Sequence, residues 1–106
     1  MSTYKFQTGN AWSDRQSKMK EELLFKFSSH ALEQMRLRGI SKDIVSIILA
    51  NPNQIKTEDG KKVYQSVIEN GRFLIRIFVN HRKDPKVIIT VYKTSKIKKY
   101  YEGKIW

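Results

Sequence analysis

From residue 62 onward, apolar and polar positions alternate with a period of two, the pattern of strands that present two different faces. The segments 62–69, 72–80 and 86–93 each carry it. Asn70-Gly71 between the first two, and the loop from His81 to Pro85 between the last two, predict antiparallel hairpins. If Glu69 faces Arg72 and Asn80 faces Lys86, Gln65 lies opposite Arg76 and Arg76 opposite Thr90; Val67, Leu74 and Tyr92 form the neighbouring row. One face, with Tyr64, Ser66, Ile68, Phe73, Ile75, Ile77, Val79, Val87, Ile89 and Val91, is nearly all apolar and is expected to lie under helices. The other carries Val63, Gln65, Val67, Arg72, Leu74, Arg76, Phe78, Ile88, Thr90 and Tyr92. It is too apolar for a plain solvent face and too polar for a core. Ile55 begins a short edge strand, closed by a turn at Asp59-Gly60.

Upstream the period changes to that of helices. Residues 29–51 read as two short helices joined at Gly39, with Ser29 and Ser41 as amino-terminal caps and Asn51-Pro52 as the stop. At 100° per residue Ala31, Leu32 and Met35 share one sector of the first helix, and His30, Gln34 and Arg38 form a stripe along its edge. The second helix, about 42–50, has Ile44, Val45, Ile47, Ile48 and Leu49 around more than half its circumference and should be largely buried. Leu23 to Phe27 fits a short strand or the approach to the helix. Residues 1–20 have no sustained period and read as a loosely attached arm. Residues 96–106 form a Lys-rich tail with Tyr100, Tyr101 and Trp106, and 21–95 form the folded domain.

The expected fold is therefore α+β: two amino-terminal helices on an antiparallel sheet of three or four strands. With 106 residues there is enough chain for one core, and with no cysteine there is neither a disulfide framework nor a thiolate metal site. Two histidines without His-x-x-x-His or Glu-x-x-His spacing argue against a metal centre, and nothing in the sequence asks for a cofactor. No apolar run is long enough to cross a bilayer, so a cytoplasmic protein, or one delivered into a target cell's cytoplasm, is expected.

Charge changes the picture most. Twenty-one Lys and Arg against ten Asp and Glu give +11, which creates a positive field and favours a polyanionic partner. Lys96, Lys98 and Lys99 beside Tyr100 read either as a frayed basic terminus or as a strip for phosphates and bases. Lys93 and Arg72 at the sheet end, and Gln65 and Thr90 on the mixed face, extend the candidate nucleic-acid contacts.

The sequence His30-Ala31-x-x-Gln34-Met35-x-x-Arg38-Gly39-Ile40 resembles the opening of the domain of unknown function 4258 family, His-Ala-x-x-Arg-Met-x-x-Arg-Gly-Ile. Asn51-Pro52, the apolar strand carrying Arg76, and Val-Ile-Ile-Thr-Val-Tyr at 87–92 fit the same pattern, over about residues 23–95. That family is similar to RelE- and BrnT-like toxins and to metal-independent ribonucleases of the barnase–EndoU–colicin–RelE fold. The resemblance implies a toxin-like endoribonuclease with RNA as substrate and an acidic antitoxin or immunity protein as partner. One departure matters: Gln34 stands where the family commonly has arginine, and an amide binds a phosphate oxygen without neutralising it. Arg36 lies half a turn away and points elsewhere on an ideal helix.

Cutting RNA without metal requires a base for the 2′-hydroxyl, a cation for the phosphorane and an acid for the leaving oxygen. An imidazole titrates near neutral pH, so His30 suits the base or acid; Arg38 and Arg76 suit the phosphate clamp, and Tyr92 could donate a proton. Such a site needs these groups to converge on one phosphate-sized hollow. The rival readings are a non-catalytic nucleic-acid-binding module and a protein-interaction domain using the same mixed face. Each group also has a plain structural reading: His30 bonded to backbone, Arg76 paired across strands with Gln65, and Tyr92 in the core.

Overall fold

A computed structural model describes residues 24–103. The expected arm at 1–20 and the last residues of the tail, Trp106 included, lie outside the described residues. Strand β1 (Phe25–Phe27) leads into α1 (Ser29–Arg38) and α2 (Lys42–Ala50). Then come β2 (Gln54–Glu58), β3 (Lys61–Ile68), β4 (Phe73–Asn80) and β5 (Lys86–Thr94), and a single helical turn, α3 (Ile97–Tyr100). The class is α+β. The sheet has five strands in the order β1-β5-β4-β3-β2, against the three or four antiparallel strands expected, and it is mixed, because β1 runs parallel to β5. Among the described residues no helix is long and apolar enough to cross a membrane.

Local chemistry explains the helix ends. The cap of α1 is Ser28 rather than Ser29: its hydroxyl accepts from the Ala31 amide at 3.0 Å and lies 3.0 Å from the Ile89 carbonyl, to which it donates. That second bond ties the helix start to β5, which a cap one residue later would not do. Gly39, at φ 65°, ends α1 in the left-handed conformation, and the Ile40 amide returns to the Met35 carbonyl at 2.9 Å. Ser41 caps α2 as expected, accepting from the Ile44 amide at 3.2 Å.

The apolar sheet face and the helices share one hydrophobic cluster. Ala31, Met35, Val45, Ile48 and Leu49 join Phe25, Ile75, Ile77, Val79, Ile88 and Val91. Leu32 is more exposed than its sector suggests, and Ile44 and Ile47 of α2 are exposed, Ile47 at 67%. The second helix is therefore buried along one side only.

The β3–β4 register is the expected one, with Gln65 opposite Arg76 and Val67 opposite Leu74. The β4–β5 register is not. Arg76 faces Tyr92, Phe78 faces Thr90 and Leu74 faces Thr94. A register shift between Phe78 and Val79 then places Val79 opposite Ile88, so Ile88 takes the core position expected for Val87 and Ile89. The connection keeps its expected residues, 81–85, and the difference is taken up by Asn80 facing Val87 and by the shift at Phe78/Val79.

Candidate functional site

Side chains alternate along β4, so Leu74, Arg76 and Phe78 point away from the cluster that holds Ile75 and Ile77. On this second face Arg76 is 1% exposed and Gln65 is fully buried. A guanidinium in that position needs partners for its charge and its donors. It donates from Nε to Gln65 Oε1 at 2.9 Å, from Nη1 to the Tyr92 hydroxyl at 2.8 Å, and from Nη2 to Glu58, with which it forms an ion pair. Its carbon lies 4.3 Å from the centre of the Tyr100 ring and 5.2 Å from that of Phe78. Burial opposes the charge on Arg76, but the bonds to Tyr92 and Glu58 outweigh it and hold its pKa above the ordinary value. Tyr92 is pushed up, by its burial first, against the downward pull of Arg76.

The tail covers this cluster. The Tyr100 carbonyl accepts from Lys56 Nζ at 3.0 Å and from Gln65 Nε2 at 3.1 Å. Gln54 holds the Glu102 backbone from both sides, its amide donating to the carbonyl and its oxygen accepting from the amide N–H at 3.2 Å. Lys56 adds an ion pair to the Glu102 carboxylate at 3.3 Å. Ile97, the first residue of α3, is buried. The tail is thus a strap across the second face, not a frayed end.

The expected catalytic groups do not converge. His30, Gln34 and Arg38 keep their stripe on α1, with Arg38 donating to the Gln34 side-chain oxygen, and His30 and Arg38 are exposed. Their helix belongs to the layer on the other side of the sheet from Arg76 and Tyr92. Arg76 is buried and paired with Glu58, while His30 and Arg38 are exposed on α1, so the structure does not gather the three into the one hollow expected of them. The physical reason is Glu58, whose carboxylate already pairs with the guanidinium. Arg36 does not substitute for the missing family arginine: it is bidentate to Glu33, at 3.1 and 2.7 Å, on the surface. Thr90 lies two residues along from Tyr92, opposite Phe78.

A different set is brought together. Arg72, just past the β3–β4 turn, and Lys96, Lys98 and Lys99 of the strap line an open hollow of about 500 Å³, with Gly71, Ser95 and Ile97. None of these four cations is ion-paired to an acidic side chain among the described residues. Lys93 stands apart from them, paired with Glu69 at 3.3 Å and 4.5 Å from the Phe73 ring centre. Four unneutralised cations around one groove will concentrate anions there.

The reading from sequence missed Gln54, Lys56, Glu58 and Glu102. Glu58, next to the expected Asp59-Gly60 turn, is the last residue of β2. The signal was present in Gln54-x-Lys56-x-Glu58, three polar residues at a spacing of two, which places them on the sheet face of Gln65.

Residues 27–93 match the protein family described as "Domain of unknown function (DUF4258)". No curated protein and no solved structure matches the chain. Arg72 lies within the matched residues, and the three strap lysines lie beyond them.

Proposed function

The chain belongs to the DUF4258 family, and we propose that it acts on RNA by binding the phosphate backbone in the groove of Arg72, Lys96, Lys98 and Lys99. The supporting observation is the grouping of four cations without acidic partners among the described residues, on a molecule of net charge +11. A hollow of this size admits a phosphate with its sugar, and the half-buried Tyr101 of the strap is available for base stacking. An acidic antitoxin or immunity protein would meet the same field and compete for it.

Labelled single-stranded RNA titrated at several salt concentrations tests this. If all four cations meet phosphates, log Kd should rise with log salt at a slope of about 3. Reversing Lys96 and Lys98 to glutamate should remove most of the binding. A slope near zero, or unchanged affinity in that variant, would refute the proposal.

A second reading, a toxin-like metal-independent endoribonuclease on a RelE-like sheet, draws its support from α1 alone. His30 and Arg38 are exposed on one edge of the helix, and Gln34 orients the Arg38 guanidinium. In this reading Arg38, not Arg76, meets the phosphate. Incubation of total RNA in EDTA distinguishes the two: cutting that disappears in both His30→Ala and Arg38→Ala favours the enzyme, and salt-sensitive binding without cutting favours the binder. Neither activity would leave a domain that docks protein.

A further inference from the structure

We propose that residues 96–102 are a hinged strap seated on the Arg76 cluster, that its seating builds the anion groove, and that RNA binding and strap closure are therefore one linked equilibrium. The inference rests on the groove being the phosphate site.

The strap has two sides with different roles. Its inner side is Ile97, the Tyr100 ring over Arg76, and the Tyr100 carbonyl held by Lys56 and Gln65. Its outer side is Lys98 and Lys99, which with Lys96 just before the turn form one wall of the groove opposite Arg72. A single turn of four residues, with no side-chain cap at its start, has no stability of its own. Its position comes from the inner contacts. The three strap lysines reach their places only when those contacts are made.

The sign of the coupling follows from charge. Lys96, Lys98 and Lys99 crowd into four positions and face Arg72, so their mutual repulsion opposes closure when the groove is empty. A polyanion in the groove removes that repulsion and adds attraction on both walls, so it favours the seated strap. Gln54 and Tyr100 are then positioning residues for RNA although neither lines the groove. Arg76, which the family resemblance would place on the phosphate, instead acts from beneath through Tyr100.

Gln54→Ala is the sharper variant, because it removes both bonds to the Glu102 backbone without changing any charge. Tyr100→Ala is the second, removing the ring from Arg76. Amide hydrogen exchange and RNA affinity are measured on the full chain, with a labelled single-stranded RNA as probe. In the wild type, saturating RNA should slow exchange of the Tyr101 amide, which donates to the Ile97 carbonyl at 2.8 Å, by about tenfold. If either variant lowers the seated fraction to between about one third and one tenth, Kd rises about three- to tenfold, since apparent affinity scales with that fraction. The salt slope should fall with it.

Exchange at Tyr101 that ignores RNA would overturn the inference. So would faster exchange in Gln54→Ala at unchanged affinity. If Lys96→Glu with Lys98→Glu abolishes binding while Gln54→Ala and Tyr100→Ala do not weaken it, the strap inference fails alone. If the charge reversals leave binding intact, the groove reading fails and this inference falls with it.

Discussion

Arg76→Met separates an arginine that anchors from one that waits for phosphate. The substitution leaves Gln65 Oε1, fully buried, without its donor, which costs about 1–3 kcal/mol. The Tyr100 ring loses its cation at 4.3 Å, for about 0.5–2 kcal/mol more. Glu58 loses its main partner, but its side chain is 34% exposed and Lys56 stays 4.0 Å away, so it can rehydrate. Its penalty falls below the about 3–5 kcal/mol of a fully buried broken pair. The guanidinium no longer has to be desolvated and methionine fills its space, which offsets part of the loss. The net expectation is a destabilisation of about 2–4 kcal/mol. Urea unfolding followed by circular dichroism reads it as a lower midpoint at unchanged slope. Adding Glu58→Gln should cost less than the sum of the two singles, with a coupling of about 1–2 kcal/mol. If Arg76→Met unfolds within about 0.5 kcal/mol of the parent and yet loses RNA binding, the anchor argument is wrong and Arg76 meets the ligand directly.

Other expectations follow from single contacts. Ser28→Ala removes the cap of α1 and its bond to the Ile89 carbonyl, and should lower stability by about 1–2 kcal/mol in thermal melts. Gly39→Ala meets no atom within 4 Å, so its loss of about 1 kcal/mol would be purely conformational, arising from φ 65°. The raised pKa of Tyr92 means that the folded state holds its phenolic proton more tightly than the unfolded chain does. Its contribution is full below about pH 10 and lost as pH climbs through the raised value. Wild-type stability should therefore drop relative to Tyr92→Phe above pH 10 in paired urea titrations. His30→Ala, at an exposed position, should leave stability within about 0.5 kcal/mol, so any loss of RNA cutting in that variant is chemical.

The amino-acid sequence by itself determined what depends on neighbours along the chain. Gly39 needs only its own backbone freedom to end α1, and Ser41 reaches an amide three residues away. Alternation sorted Ile75 and Ile77 from Arg76, and a short turn next to Asn70-Gly71 fixed Gln65 against Arg76. Tertiary structure decided whatever required distant segments to meet. A slip of two residues keeps every side chain on its own face, so alternation cannot choose between Thr90 and Tyr92 as the partner of Arg76. The bulge that brings Ile88 into the core leaves no mark on the pattern either. The parallel docking of β1 on β5 joins residues about sixty positions apart, and no local pattern encodes it. Periodicity also assigns a face without saying what covers it. The second face received the carboxylate of Glu58 and the underside of the tail, and that turned Arg76 from an expected phosphate clamp into a buried support.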